Sequence, residues 1–299
     1  GSAVNDSLVC TVICNGVVEI SADNTVIRGI QFNADAEHTV KFTGASENIV
    51  VEDCIFNGGS GADRVFWYGN MLLSGNVTIK NCLIKDYTDH WMSGDLTTTS
   101  SVATTQLGKV VLRKNKFQNV SGSFAIRGQV SKPTKKVTVV GNVWEHDSAH
   151  NLFWDSIEIS GGVKRVIVTD NVGTIDSFGD PTTGKKGFAQ IWSQSSVPWK
   201  LVYKNNNLTG YRVGLKIANS QPTFYSPDTH DDDYEVDIQD ADLTNVEFGA
   251  SFLYKNTTSG SSIRWIPQTP AAEYNPGNLN TYPVVPTVTS KGPNVAVVN

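Results

Sequence analysis

The chain has 299 residues, a formal net charge of −5 and only 18% charged residues. It shows no Lys/Arg cluster beyond Lys135-Lys136 and Lys185-Lys186, which speaks against nucleic acid as a partner. No apolar run reaches the roughly 18 residues that span a bilayer, so no membrane partner is expected.

Residues 3–24 supply opening strands. Gly1-Ser2 resembles a remnant of tag removal, and the chain reads as a fragment of a longer protein. From there one pattern returns along the sequence, seen most plainly at Val77-Thr78-Ile79-Lys80-Asn81-Cys82-Leu83-Ile84. Its aliphatic anchors fall at Ile27, Val51, Ile79, Leu112, Val139, Val168, Tyr203 and Ile238. Three residues past them stand Ile30, Cys54, Cys82, Asn115, Asn142, Asn171, Asn206 and Ala241. Two further on come Phe32, Phe56, Ile84, Phe117, Trp144, Gly173, Leu208 and Leu243. Fixed local spacing with elastic gaps is what a stack of rungs shows when its loops are free to grow.

Alternation before each anchor is strand-like, with the anchor facing inward. The Cys or Asn marks a tight corner, where a buried amide can bond the amides above and below it and tolerate unusual backbone angles. A second short strand follows the corner. A third precedes the anchor, at Val18-Glu19-Ile20, Val40-Lys41-Phe42, Leu72-Leu73, Ala125-Ile126, Ile157-Glu158-Ile159, Gln190-Ile191, Leu215-Lys216-Ile217 and Ser251-Phe252. Three strands per turn over about eight or nine turns give an all-β rod roughly 40 Å long at the usual strand spacing. Residues 3–255 form this domain, and the Pro-rich residues 256–299 read as an extended tail or cap, with disorder as the alternative.

Cys54 and Cys82 occupy one corner of successive turns, as small apolar groups. Cys10 and Cys14 would need a turn between them to bridge, so four free thiols are expected over a disulfide. Long connections follow Phe56 (Asn57–Asn70), Ile84 (Lys85–Thr104), Trp144 (Glu145–Ser156) and Gly173 (Thr174–Ala189), and loops growing on one edge wall the neighbouring face. A further excursion, Ala218–Glu235, carries Asp228, His230, Asp231, Asp232 and Asp233. It lacks the spacing of an EF-hand, so a solvated loop is expected, with Ca²⁺ as the alternative and no other cofactor.

This stack of rungs with an Asn corner resembles the right-handed parallel β-helix of the pectin-lyase-like superfamily, seen in phage tailspikes and polysaccharide lyases. The resemblance covers roughly residues 8–255. It implies a right-handed solenoid and a substrate groove along the walled face, but no single activity, since that fold hosts lyases, hydrolases, tailspikes and adhesins.

With Ile126, Ile159, Ile191 and Ile217 inward, alternation turns Arg127, Glu158, Gln190, Trp192 and Lys216 outward on consecutive rungs. The walls add Trp91, His146, Asp147, His150, Trp154 and Asp155. Rings beside carboxylates and amides suit a glycan, because sugar C–H faces stack on rings while hydroxyls seek planar polar partners. The candidate catalytic set is Glu158, Asp155, Arg127, Lys216 and His146. Gln190, Trp192, Trp154, Asp147, His150 and Trp91 are the candidate substrate contacts. A hydrolase would draw two carboxyl groups from this set, whereas a lyase would need a cation to neutralise a uronate and a base to take the adjacent proton. The expected function is binding, with or without depolymerisation, of an extracellular or cell-surface polysaccharide, as a homotrimeric tailspike would do. The alternatives are a secreted monomeric lyase or hydrolase and a non-catalytic adhesin or rod. In each case the setting is extracellular. Glu158 is expected on an exposed groove floor beside Arg127.

Overall fold

The computed structural model describes residues 8–33, 38–43, 46–59, 64–67, 73–87, 92–93, 107–121, 124–128, 134–147, 156–175, 187–193, 199–209, 211, 213–219, 234–239, 242–245, 248–253, 262–265 and 288–290. All secondary structure in them is β, and every strand pairing is parallel. The strands fall into three sheets. The first contains Val12–Asn15, Ile30–Asn33, Ile55–Asn57, Leu83–Lys85, Lys116–Gln118, Val143–His146, Val172–Ile175, Asn207–Thr209 and Asp242–Asn245. The second contains Val18–Ile20, His38–Phe42, Arg64–Trp67, Met92–Ser93, Phe124–Gly128, Ile157–Gly161, Gly187–Ser193, Val213–Asn219 and Phe248–Leu253. The third contains Val26–Arg28, Ser46–Glu52, Leu73–Lys80, Leu107–Arg113, Lys136–Val140, Arg165–Thr169, Trp199–Lys204 and Tyr234–Gln239, then Ser262–Trp265 and Val288–Ser290. From Val12 to Trp265 the chain visits the three sheets in rotation, and each described strand after the first three pairs with the one laid down three strands earlier; Val288–Ser290 instead pairs with Ser262–Trp265 in the third sheet.

The anchors stack in a single register. Ile27 pairs with Val51, Val51 with Ile79, Ile79 with Leu112, Leu112 with Val139, Val139 with Val168 and Val168 with Tyr203. All seven are buried and belong to one apolar core shared by the three sheets. Alternation delivers this result, since residues of like parity on a strand share a face. Rings fill the same core: Phe32 stacks on Phe56 at 4.8 Å and Phe117 on Trp144 at 4.6 Å. Gly173 interrupts that aromatic column because Tyr211 and Phe188 enter its space; a Cβ there would lie 2.8 Å from Tyr211 Cε2 and 2.9 Å from Leu208 Cδ2.

The expected corner is present and fully bonded. Asn115, Asn142, Asn171 and Asn206 have no solvent exposure. The Nδ2 atoms of Asn115, Asn142 and Asn171 each donate to the next Oδ1, at 3.0 Å from Asn115 to Asn142, 3.0 Å from Asn142 to Asn171 and 2.9 Å from Asn171 to Asn206. The Nδ2 groups of Asn115, Asn142, Asn171 and Asn206 also donate to the backbone carbonyls of Ile79, Leu112, Val139 and Val168 respectively. The unusual backbone angle lies one residue earlier than expected. Gly29, Asp53, Asn81, Lys114, Gly141, Asp170 and Asn205 all have φ between 51° and 66°. A left-handed residue turns the chain there, leaving the amide that follows free to face inward.

Cys54 and Cys82 continue the corner, fully buried, and all four thiols are free. Burial pushes the Cys82 thiol well above its usual range, so it packs as an apolar group. Two strand assignments in the second sheet need correction. Arg64–Trp67 takes the place expected of Leu72-Leu73, because Leu73 instead opens the long third-sheet strand that bulges around Gly75. Met92–Ser93 adds a rung inside what reads as a loop.

Candidate functional site

A cleft of about 310 Å³ opens where the first sheet ends and the chain turns toward the second, lined by Gln118, Asn119, Glu145, His146, Asp147 and Thr174. Three neighbouring strands build its wall, with Gln118 paired to Glu145 and Glu145 to Thr174. All three face outward, since Phe117 and Trp144 beside them fill the core. Just past the strand end Asn119 adopts φ 53°, and this bend lets its amide reach the next rung. Asn119 Nδ2 donates to Asp147 Oδ2 at 3.1 Å, and the Asp147 backbone N–H donates to Asn119 Oδ1 at 3.1 Å. The reciprocal pair fixes a carboxylate at the mouth of the cleft. Asp147 remains exposed.

Glu145 is held from the other side. Lys116 Nζ lies 3.0 Å from Glu145 Oε2, with the lysine side chain 11% exposed and the glutamate 45%. The lysine stem is covered while the carboxylate stays wet, as a long cationic side chain allows. His146 corrects the expectation of a loop histidine. It is the last residue of the strand Val143–His146, paired with Ile175 on inward parity and only 3% exposed. His146 also lines the cleft. Amide, carboxylate and hydroxyl groups on one small concavity can accept and donate to a polyol without a metal. Among the described residues no three His, Cys, Asp or Glu converge as metal ligands.

The expected ladder on the second sheet exists as two columns. Ala125, Glu158, Gln190 and Lys216 share one register, followed by Ser251. Arg127, Ser160, Trp192 and Ala218 share another, two residues further along the strands. The consecutive rungs are as expected, but Arg127 is diagonal to Glu158 rather than beside it. Exposure also differs. Ile126, Ile159 and Ile191 are buried inward, which puts Glu158 on the outer parity, yet Glu158 is only 7% exposed and Ala125 in the same column 3%. The outer face of the second sheet is covered at this level, so Glu158 is a buried carboxylate and not an open groove floor.

Arg127, Gln190, Trp192 and Lys216 are placed by backbone register only. Trp91, His150, Trp154 and Asp155 lie outside the described residues, as do Asp231 and its acidic neighbours. Gln118, Asn119 and Thr174 were not among the expected contacts. The available signal is their position: Gln118 ends the strand that follows its corner, Asn119 stands just past it, and Thr174 is the last but one residue of the corresponding strand Val172–Ile175. Comparison of the chain with family models, with curated proteins and with solved structures finds no match in any of the three.

Proposed function

We propose that this chain is a right-handed parallel β-helix of the pectin-lyase-like kind that binds an extracellular or cell-surface polysaccharide at the edge between its first and second sheets. Rotation through three parallel sheets with a fixed three-strand step supports the solenoid, and crossovers between parallel strands of one sheet are right-handed in about 98% of cases. The observation that carries the function is the Gln118–Asn119–Glu145–Asp147–Thr174 cleft, which places planar amide and carboxylate groups at the edge from which the long connections depart. Polyols are recognised by such groups, and loops on one edge of a rigid scaffold lengthen the contact. Display as a homotrimer on a secreted or particle-borne protein belongs to the same proposal, and solution mass tests it.

Cleavage is the second reading. Glu145 and Asp147 stand two residues apart and both line the cleft, and glycosidases need two carboxyl groups about 5–5.5 or 6.5–9.5 Å apart. The test is a panel of bacterial and plant glycans, scored for retention, for reducing ends and for unsaturated products, with the wild type and Asp147→Ala. Retention of at least one glycan, weakened tenfold or more by Asp147→Ala, is expected. Equal retention by the variant, or no retention anywhere on the panel, overturns the proposal.

A further inference from the structure

The third sheet gathers cations that stand far apart in the sequence. Lys109 pairs with Lys136 and Arg165 with Lys200, while Lys136 and Arg165 immediately precede the paired Val137 and Val166. Four positive residues therefore occupy one column on four successive strands. A second column, four residues further along, runs Arg113, Val140, Thr169, Lys204. Between them lie Val111, Thr138, Ile167 and Val202, all half-exposed. In residues 107–114, 134–141, 164–170 and 199–205 the only acid is Asp170. A chain of net charge −5 thus carries one strongly basic face.

These cations are unspent. Lys109, Arg113 and Arg165 are exposed and Lys136 and Lys204 half-buried, and none of the five is ion-paired to a described residue. The stripe has clear ends. On one side Glu52 takes both Arg28 and Lys80; on the other Glu235 pairs in register with Lys200 and Asp237 with Val202. Four strands at about 4.8 Å make a row about 14 Å long. Only two residues link each of these strands to the first sheet, so that border of the face is low.

We infer that this face binds a linear acidic polysaccharide carrying one carboxylate or sulfate per sugar. A straight row of positive charges about 4.8 Å apart matches the length of one pyranose unit in an extended chain, so successive anions meet successive rungs. Duplex DNA presents one charge per about 1.7 Å of a curved surface, a poorer match to a flat, straight row. Single-stranded nucleic acid would want aromatic platforms, whereas the described side chains between the basic columns are aliphatic or hydroxyl. Such a flat β-branched strip accepts the C–H faces of sugars. The surface lies on a different sheet from the cleft and does not rest on that reading.

The experiment titrates a six-residue oligouronide into the wild type, the triple variant Lys109→Gln, Lys136→Gln, Arg165→Gln, and Asp147→Ala, by calorimetry at low and high salt. The methyl-esterified oligouronide and DNA of equal charge serve as competitors, and thermal melting confirms that the variants are folded. The expected result is binding that falls steeply with salt, weakens tenfold or more in the triple variant, persists in Asp147→Ala and vanishes for the ester. Equal affinity of the triple variant, or equal affinity for the ester, overturns the inference. Tighter binding of DNA than of the oligouronide overturns the choice of ligand. A salt-sensitive self-association lost in the triple variant, without oligouronide binding, assigns the face to a second copy of the chain instead.

Discussion

Replacing Asn142 by Ala removes the centre of the buried amide stack. Its Oδ1 accepts from the Asn115 backbone N–H at 2.9 Å and from Asn115 Nδ2 at 3.0 Å, and its own Nδ2 donates to Leu112 O at 3.1 Å and Asn171 Oδ1 at 3.0 Å. Asn171 Oδ1 keeps the Asn142 backbone N–H at 3.0 Å, so it loses one bond of two. The Asn115 N–H and one Asn115 amide proton are left without partners in a fully buried corner, and Leu112 O, inside a strand paired on both sides, loses one bond. At about 1–3 kcal/mol for each orphaned group, partly recovered by relaxation, the expected loss is about 2–5 kcal/mol. Asn33→Ala provides the contrast, because Asn33 sits in a wetter ladder with Asn15 and Asn57, and its loss should stay below about 1 kcal/mol. Urea denaturation followed by circular dichroism measures both, with the m-value reporting whether unfolding stays cooperative. Asn142→Ala with Asn171→Ala should cost less than the sum of the two, since they share a bond. A cost for Asn142→Ala no greater than that of Asn33→Ala would refute this account of the corner.

Lys114 holds φ 54° at a position where its counterparts are Gly, Asp or Asn. Lys114→Asn should therefore raise stability by about 0.5–1 kcal/mol in the same urea assay, against a left-handed cost of about 1–2 kcal/mol for ordinary residues. Gly173→Ala should lower stability by about 1–3 kcal/mol through overpacking against Tyr211 and Leu208, visible as a lower Tm. Glu158→Gln should cost about 1–3 kcal/mol because its carboxylate is buried with partners it has selected; a neutral variant would return Glu158 to the exposed surface. Burial pushes the Tyr87 and Tyr203 phenols above their usual value, and in each case the folded state favours the neutral form. Their contribution is complete below about pH 10, the unfolded value, and is lost as pH rises above it, by about 1.4 kcal/mol per pH unit for each. Tyrosinate absorbance from these two residues should appear only with alkaline unfolding.

The core was legible because its signal is local and repeated. An anchor, a corner amide and a large apolar residue keep the same offsets in every rung, so Leu112, Asn115 and Phe117 predict one another. The left-handed residue before the corner is harder to read, because Lys114 breaks a pattern in which Asp53, Asn81, Gly141, Asp170 and Asn205 are types that tolerate such angles. His146 read as loop because no apolar residue follows it to extend the alternation, yet it completes its strand opposite Ile175. Alternation yields the outward parity of Glu158 but not its exposure, since parity says which way a side chain points and nothing of what lies over it. The basic stripe escaped because Lys109, Lys136, Arg165 and Lys200 become neighbours only once the strands are stacked.

The two-residue corners carry a consequence for how such a chain can change. Lys114-Asn115, Gly141-Asn142, Asp170-Asn171 and Asn205-Asn206 each join a third-sheet strand to a first-sheet strand. One inserted residue there would invert the facing of the strand beyond and drive its polar residues into the core. The connections on the far edge differ widely in length while the rungs they join keep register. An insertion scan should therefore read as a comb, with sharp intolerance at each corner and wide tolerance at the opposite edge. The chain behaves as a fixed rack with exchangeable cassettes, so new recognition surfaces can be installed on one side without renegotiating the fold on the other.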